Sequence, residues 1–172
     1  MLEAILIALQ TFQVLFLAFH DWVPLDGLND VAAVRSEIPT RNLLIATLIQ
    51  TSFFAVGLFF SVSYYCRTYP AWLTYWLWIS YATLFVGEIK AWWIPYLVRP
   101  DPKRAARYQK MFGKTHSFLP RHNEIVPNTA HVLLHLATAA TLLVLFLRPP
   151  GSLRICRDHV QLEHDRKSRQ NS

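Results

Sequence analysis

The chain has 172 residues, of which 53% are hydrophobic, 14% aromatic and only 16% charged. A soluble domain usually carries about 25% charged residues, and here the apolar residues form long blocks, which is typical of a membrane protein. The net charge of +6 lies mainly in residues 99–121 and in the tail after Arg148. Because both regions flank apolar blocks, this charge favours anionic lipid head groups as partners over nucleic acid. The two cysteines, with no CxxC, exclude a disulfide framework and a four-thiolate zinc site.

The apolar blocks predict an all-α fold, a four-transmembrane-helix bundle with an interfacial amphipathic helix between spans three and four. The predicted spans are Leu2 to Phe19, Asn42 to Tyr65, the stretch from Tyr69 to Arg99, and Ala130 to Leu147. Residues 1–150 are expected to form this membrane domain. Residues 151–172 are polar and charged, and their composition predicts a disordered tail.

The third span has aromatic residues at both ends and charged residues near its second end. Trp72 and Trp92 are 20 residues apart, which is about 30 Å along a helix and matches the hydrocarbon thickness of a bilayer. We therefore expect the two tryptophans to mark the two membrane–water interfaces. Glu88 and Lys90 lie inside the second interface, and ionisable groups at that depth indicate a functional site.

The long connection of residues 100–128 begins with a strong helix-start signal, Asp101 followed by Pro102. Basic residues recur at spacings of three and four along the next eleven positions, opposite an apolar face. This pattern predicts a basic amphipathic helix lying in the membrane interface, with Tyr108 and Phe112 towards the membrane. Its basic face, which would meet water or lipid phosphate, contains Lys103, Arg107 and Lys110.

Four alternating spans would bring acidic residues and histidines from distant parts of the chain to one membrane face. We call the face nearest Met1 face A and the opposite one face B. The residues expected at face B are His20, Asp21, Glu88, His116, His122, His131 and His135. These residues belong to three spans and one loop, so their convergence is the strongest functional signal in the sequence.

The spacing within this group is compatible with a metal site. His131 and His135 are four residues apart, so one helix face presents both imidazoles. Glu88 from a facing helix would complete the ligand set, as in carboxylate–histidine sites of helix bundles. His20 is a further candidate ligand, and Asp21 is either a ligand or an acceptor that orients an imidazole. Such a set suits a transition metal, namely zinc, iron, manganese or copper.

Structural roles are the competing interpretation for the same residues. Glu88 would then pair with Lys90, Arg99 or Arg41, and His131 would bond a loop carbonyl. Two classes of function follow: a protein that binds a metal or a small ligand at the His/carboxylate site, or a non-catalytic small transporter or accessory subunit. The sequence contains no nucleotide-binding, hydrolase or zinc-protease motif, and it leaves open whether the protein is an enzyme. A homo-oligomer or a membrane partner subunit is compatible with either class.

The distribution of basic residues suggests an orientation. Nine Lys and Arg residues fall on face B and seven on face A, which predicts a cytoplasmic face B. We expect the cytoplasmic membrane of a bacterium. Cys66 and Cys156 both fall on face A, where two free thiols and a disulfide between them are the alternatives.

Overall fold

The computed structural model describes residues 1–148, in which helices and their connecting loops make up the whole fold. The helices are α1 (Leu2–Phe19), α2 (Val31–Glu37), α3 (Thr40–Ser63), α4 (Ala71–Glu88), α5 (Ile94–Leu97), α6 (Pro102–Phe112) and α7 (Thr129–Leu147), and a π-helical segment, Ile89–Trp93, joins α4 to α5. The predicted all-α class is confirmed for this part of the chain. The predicted tail and Cys156 lie outside the described residues. Cys66 lies within them and is not a free thiol, so the alternative of two free thiols is wrong.

Among the helices of residues 1–148, three rather than the predicted four are long and apolar enough to cross a membrane. They are α1, α3 and α7. Helix α4 has 18 residues but is rich in Trp, Tyr, Ser and Thr, whose polar atoms lower its hydropathy relative to the aliphatic helices. The chain is therefore compatible with a membrane protein, and the membrane position of α4 has to be argued from its packing.

Contacts at the helix ends fix the direction of each long helix. The C-terminal end of α1 lies beside the first turn of α7, where the rings of His20 and His131 are 5.7 Å apart. At the other end of α1, Glu3 contacts both Arg148, after α7, and Cys66, after α3. Helices α3 and α7 therefore run in the same direction, antiparallel to α1. Helix α4 carries the chain back along the bundle between them.

The four long helices pack in a ring in which α1 lies between α3 and α7, and α4 closes the ring against α7 and α3. Leu6, Leu73, Leu77 and Tyr81 are almost fully buried in the shared core. Gly57 admits α4 closely, since a Cβ there would lie 3.3 Å from the Leu77 side chain. The end of α3 nearest the turn into α4 is therefore tightly packed.

A buried ion pair joins the helix ends at face A. The Glu3 carboxylate accepts a 2.9 Å hydrogen bond from Arg148 and a 3.0 Å hydrogen bond from the Cys66 amide. The Arg148 guanidinium also lies 3.3 Å from the centre of the Tyr69 ring, and the Tyr69 hydroxyl donates to the Ser61 carbonyl. These contacts hold together the start of α1, the end of α7 and the turn between α3 and α4.

At the opposite end, two backbone carbonyls of the π-helical segment lack their usual helical donors and accept hydrogen bonds from α6 instead. The Ile94 amide donates to Ile89 instead of Lys90, and Pro95 has no amide to donate to Ala91. The Arg104 guanidinium donates to both the Lys90 and Ala91 carbonyls, at 2.8 and 2.9 Å. These hydrogen bonds attach α6 directly to the π-helical segment.

Helix α6 forms with Asp101 as its N-cap, as the sequence predicted, but its apolar face packs into the protein. Tyr108 and Phe112 contact Trp92, and Met111 packs with Val34 of α2. The expectation that Tyr108 and Phe112 face the membrane is wrong, because buried partners from the π-helical segment occupy that face. The predicted interfacial position of α6 stays a prediction.

We predict that Glu3→Gln destabilises the fold. Gln keeps the shape of the side chain but removes the charge that Arg148 faces, and breaking a buried pair costs about 3 kcal/mol. Reversible unfolding in sodium dodecyl sulfate measures the change. The matched control is Glu37→Gln, which removes the more exposed pair with Lys110 and should cost under about 1 kcal/mol. Equal losses in the two variants would contradict a special role for Glu3.

Candidate functional site: a cavity with a polar end

A cavity of about 630 Å³ lies among α1, α3, α4 and α7. All five residues predicted to form a site line it, although they come from three parts of the chain. They are His20, Asp21, Glu88, His131 and His135. Most of the other lining residues are apolar, so these five give the cavity one polar end.

Glu88 is buried with half of its carboxyl group unpaired. The side chain lines the cavity, and the residue is only 6% exposed. Its Oε1 accepts a 2.9 Å hydrogen bond from the Thr138 hydroxyl, and its Oε2 has no partner among residues 1–148. No ion pair with Lys90, Arg99 or Arg41 forms among the described salt bridges, so the structural ion pair considered from the sequence is wrong.

Thr138 connects Glu88 to a polar seam between α1 and α7. Its hydroxyl lies within hydrogen-bond distance of three acceptors: the Glu88 carboxyl, the Gln13 side-chain oxygen at 3.2 Å and the Leu134 carbonyl at 3.0 Å. One hydroxyl has one proton, so it donates to one of them at a time. If Glu88 is protonated it donates to Thr138 instead, and the seam is therefore compatible with either state of Glu88.

His135 has a defined tautomer because of its neighbour. Its Nδ1 lies 3.1 Å from the indole nitrogen of Trp93, which can only donate. The neutral ring therefore holds its proton on Nε2, and this N–H is the donor left over after the bond with Trp93.

His131 has the opposite tautomer. Its Nδ1 lies 2.6 Å from the Asn128 side-chain oxygen, which also caps the first turn of α7 through the His131 amide. The ring therefore holds its proton on Nδ1, and Nε2 is left as an acceptor. The structural interpretation of His131 thus holds in part, with a side-chain oxygen in place of a loop carbonyl.

His20 and Asp21 form a contact pair at the end of α1. The His20 ring places Nδ1 2.9 Å from the Phe16 carbonyl and Nε2 3.3 Å from the Asp21 carboxyl. The Phe16 carbonyl can only accept, so the bond at Nδ1 is donated by the His20 ring. Burial raises the pKa of Asp21, and the attraction of His20 acts in the opposite direction.

The aromatic rings around the histidines keep the polar end compact. Trp92 is 5% exposed, and its ring centre lies 4.7 Å from that of His131 and 6.3 Å from that of His135. The expectation that Trp92 marks a membrane interface is therefore wrong, whereas Trp72 at the other end is 48% exposed. Trp92 faces inward because the π-helical segment turns it under α6.

The metal part of the sequence interpretation gains no support from this geometry. Among residues 1–148, no group of three or more His, Cys, Asp or Glu side chains is arranged to hold a metal ion. The two α7 rings are 6.3 Å apart, and each has one nitrogen committed to a neighbour. The five residues share a cavity, and their role as ligands stays a prediction.

The two loop histidines hold the segment that covers α5. His116 bonds to Thr129 through its ring and to Gly27 through its amide, and the His122 ring bonds to the Tyr96 carbonyl. Asn123 and Glu124 both have positive φ, which closes a tight turn between paired His122 and Ile125. Neither His116 nor His122 lines the cavity.

Sequence reasoning missed three residues that organise the site. Trp93 sets the tautomer of His135, Thr138 binds Glu88, and Asn128 orients the ring of His131. Thr138 lies three residues after His135 and so shares its helix face, which was a usable signal. The role of Trp93 was not readable, since it depends on the π-helical segment.

Comparison with known proteins shows no relationship that would identify the chain. No protein-family model, curated protein or solved structure matches it.

We predict that Trp93→Phe releases the tautomer of His135. Phe keeps a ring in place but removes the N–H that donates to Nδ1, so the proton is no longer confined to Nε2. Nitrogen-15 NMR of histidine-labelled protein in lipid should show one Nε2–H signal in the wild type become a mixture. Trp78→Phe, which alters a core tryptophan of α4 with no hydrogen bond to histidine, is the control and should leave that signal unchanged.

Proposed function

We propose that this protein is a four-span integral membrane protein that binds a small ligand at the polar end of its cavity. Helix α4 is the fourth span in this proposal. Since α3 and α7 start at the same end of the bundle, the chain between them must return across the membrane if both of those helices cross it. Helix α4 makes that return, packed against both α3 and α7.

The observation that carries the proposal is the unpaired Oε2 of Glu88. Buried polar atoms are almost always hydrogen-bonded, and leaving one unpaired costs about 1–3 kcal/mol. A ligand that supplies the missing partner is one explanation for such an atom. Glu88 differs from the other buried unpaired groups of the described residues, such as Ser61, because it lines the cavity. Because Glu88 lines a cavity whose volume is within the usual range for ligand pockets, about 300–1,000 Å³, a ligand in this cavity would supply the missing partner.

The surroundings of the cavity suggest how the protein sits in the membrane. Exposed basic residues lie on α6 and just after it, at face B; among them are Lys103, Arg107 and Lys114. We place this surface at anionic lipid head groups on the cytoplasmic side of a bacterial membrane. The exposed apolar sides of α1 and α3 then face lipid, a second copy or a partner subunit.

We predict that Glu88→Leu and His135→Phe each lower ligand occupancy about tenfold, since each removes one hydrogen bond to the ligand. Native mass spectrometry of protein extracted directly into lipid nanodiscs measures the retained small molecule. Ser61→Ala is the control, because Ser61 is a buried residue with an unpaired hydroxyl that lies outside the cavity.

A zinc titration of the same preparation separates the remaining alternatives. Stoichiometric zinc binding that is lost in His131→Ala would replace the small ligand by a metal ion. An absence of both retained ligand and zinc binding would favour the accessory or scaffold subunit, in which the polar groups only hold the helices together.

A further inference from the structure

The cavity opens sideways between α3 and α4. Residues that are both exposed and part of the cavity lining form one stripe on each helix. The α3 stripe is Ala46, Gln50 and Phe53, and the α4 stripe is Ile79, Thr83 and Gly87. Within each stripe the residues are three or four positions apart, so each forms one edge of an opening that runs along the helices.

The opening lies at the depth of the lipid chains. Ala46 and Phe53 are 6 and 13 residues after the start of α3, which places them about 9 and 20 Å along the helix. The two helices meet again further from face B, where the rings of Phe53 and Trp76 are 4.7 Å apart and those of Phe60 and Trp72 are 4.9 Å apart. A molecule passing through this opening therefore comes from the hydrocarbon layer.

The inner walls are suited to a hydrocarbon chain. Apolar side chains line most of the cavity. Its acidic residues and histidines lie at the face B end, and the uncharged polar residues along the walls are Thr47, Gln50, Ser80 and Thr83. The apolar lining includes Leu17, Ile38, Leu43, Phe54 and Leu84. A ligand that matches these walls has one apolar chain and one small polar head.

The hydrogen-bonding groups at the polar end select the head. The tautomer of His135 offers an N–H donor, and Glu88 offers an unpaired oxygen. A hydroxyl group accepts from His135 and donates to Glu88 at the same time, and it can also accept from Glu88 if that carboxyl is protonated. With Glu88 ionised, a carbonyl or ether would leave its Oε2 unpaired. An ammonium would leave the His135 donor unpaired, and a carboxylate would lie beside Asp21 and Glu88.

We infer that the ligand is a lipid alcohol, an uncharged molecule with a single hydroxyl head and a long apolar chain, which enters from the bilayer between α3 and α4. This inference rests on the proposed function, since it names the class of ligand for the same site. The hydroxyl binds between Glu88 and His135, and the chain follows the apolar walls towards the opening.

The test uses hexadecan-1-ol with a photoreactive diazirine in its chain, in proteoliposomes of phosphatidylcholine. The methyl ether and the carboxylic acid of the same chain are the comparison probes. We expect saturable crosslinking of the alcohol to peptides of α3 and α4. The probe concentration that gives half-maximal crosslinking should be about tenfold lower for the alcohol than for either comparison probe. Equal labelling by all three probes would overturn the assignment of the hydroxyl head.

Two variants test the route. Ala46→Phe fills the α3 edge of the opening, and Gly87→Leu fills the α4 edge, where an added Cβ meets open space. Each should lower crosslinking of the alcohol at least tenfold. Ala8→Phe is the matched control, because Ala8 is also an exposed alanine of a long apolar helix but lies outside the cavity; it should label as the wild type does.

The outcomes separate this inference from the function on which it rests. If native mass spectrometry finds a retained ligand without a long chain, and Ala46→Phe does not change its occupancy, the lipid alcohol is excluded while ligand binding at Glu88 stands. If neither a retained ligand nor saturable labelling is found, both proposals fail together.

Discussion

The contact on which the site most depends is the pair of hydrogen bonds from Arg104 to the backbone at the π-helical segment. Pro95 removes one helical amide and the π-helical segment redirects another, so two carbonyls lack their usual partners. The Arg104 guanidinium satisfies both, and in doing so it brings α6 over Trp92. The aromatic packing around the histidines and the contact of Trp93 with His135 follow from that arrangement.

The polar interior of the bundle is built so that a single proton can be shared among several acceptors. Glu88, Gln13 and the Leu134 carbonyl all lie within reach of the Thr138 hydroxyl. In the low-dielectric interior such shared bonds are stronger than in water, and an unpaired atom is correspondingly costly. At Glu88, a residue of the cavity lining, this cost falls on Oε2, which has no partner among the described residues.

Different contacts hold the helices together at the two ends of the bundle. At face A, the Glu3 carboxylate joins three helix ends through Arg148 and the Cys66 amide. At face B, α3 and α4 diverge, and the helices are held instead by α2, α6 and the loop of residues 113–128. The helix ends are thus joined at face A and diverge at face B, where the acidic residues and histidines line the cavity.

The sequence by itself determined the helices and the membership of the site. Long apolar blocks gave α1 its observed bounds and placed α3 and α7 within two residues of their observed starts, because a membrane span needs a fixed length of apolar residues. Alternation of direction along the chain was enough to bring His20, Asp21, Glu88, His131 and His135 to one end, where they line one cavity.

Only the tertiary structure decided how those residues are used. The tautomers depend on Trp93 and Asn128, whose orientation requires the π-helical segment and the cap of α7 to be in place. The inward turn of Trp92 and the partial burial of Tyr108 follow from packing of α6 on the bundle. An amphipathic pattern cannot distinguish this packing from packing on a membrane, since either surface buries the same apolar face. The sideways opening exists because α3 and α4 meet at Gly57 and separate towards face B, and that separation is a property of the whole bundle.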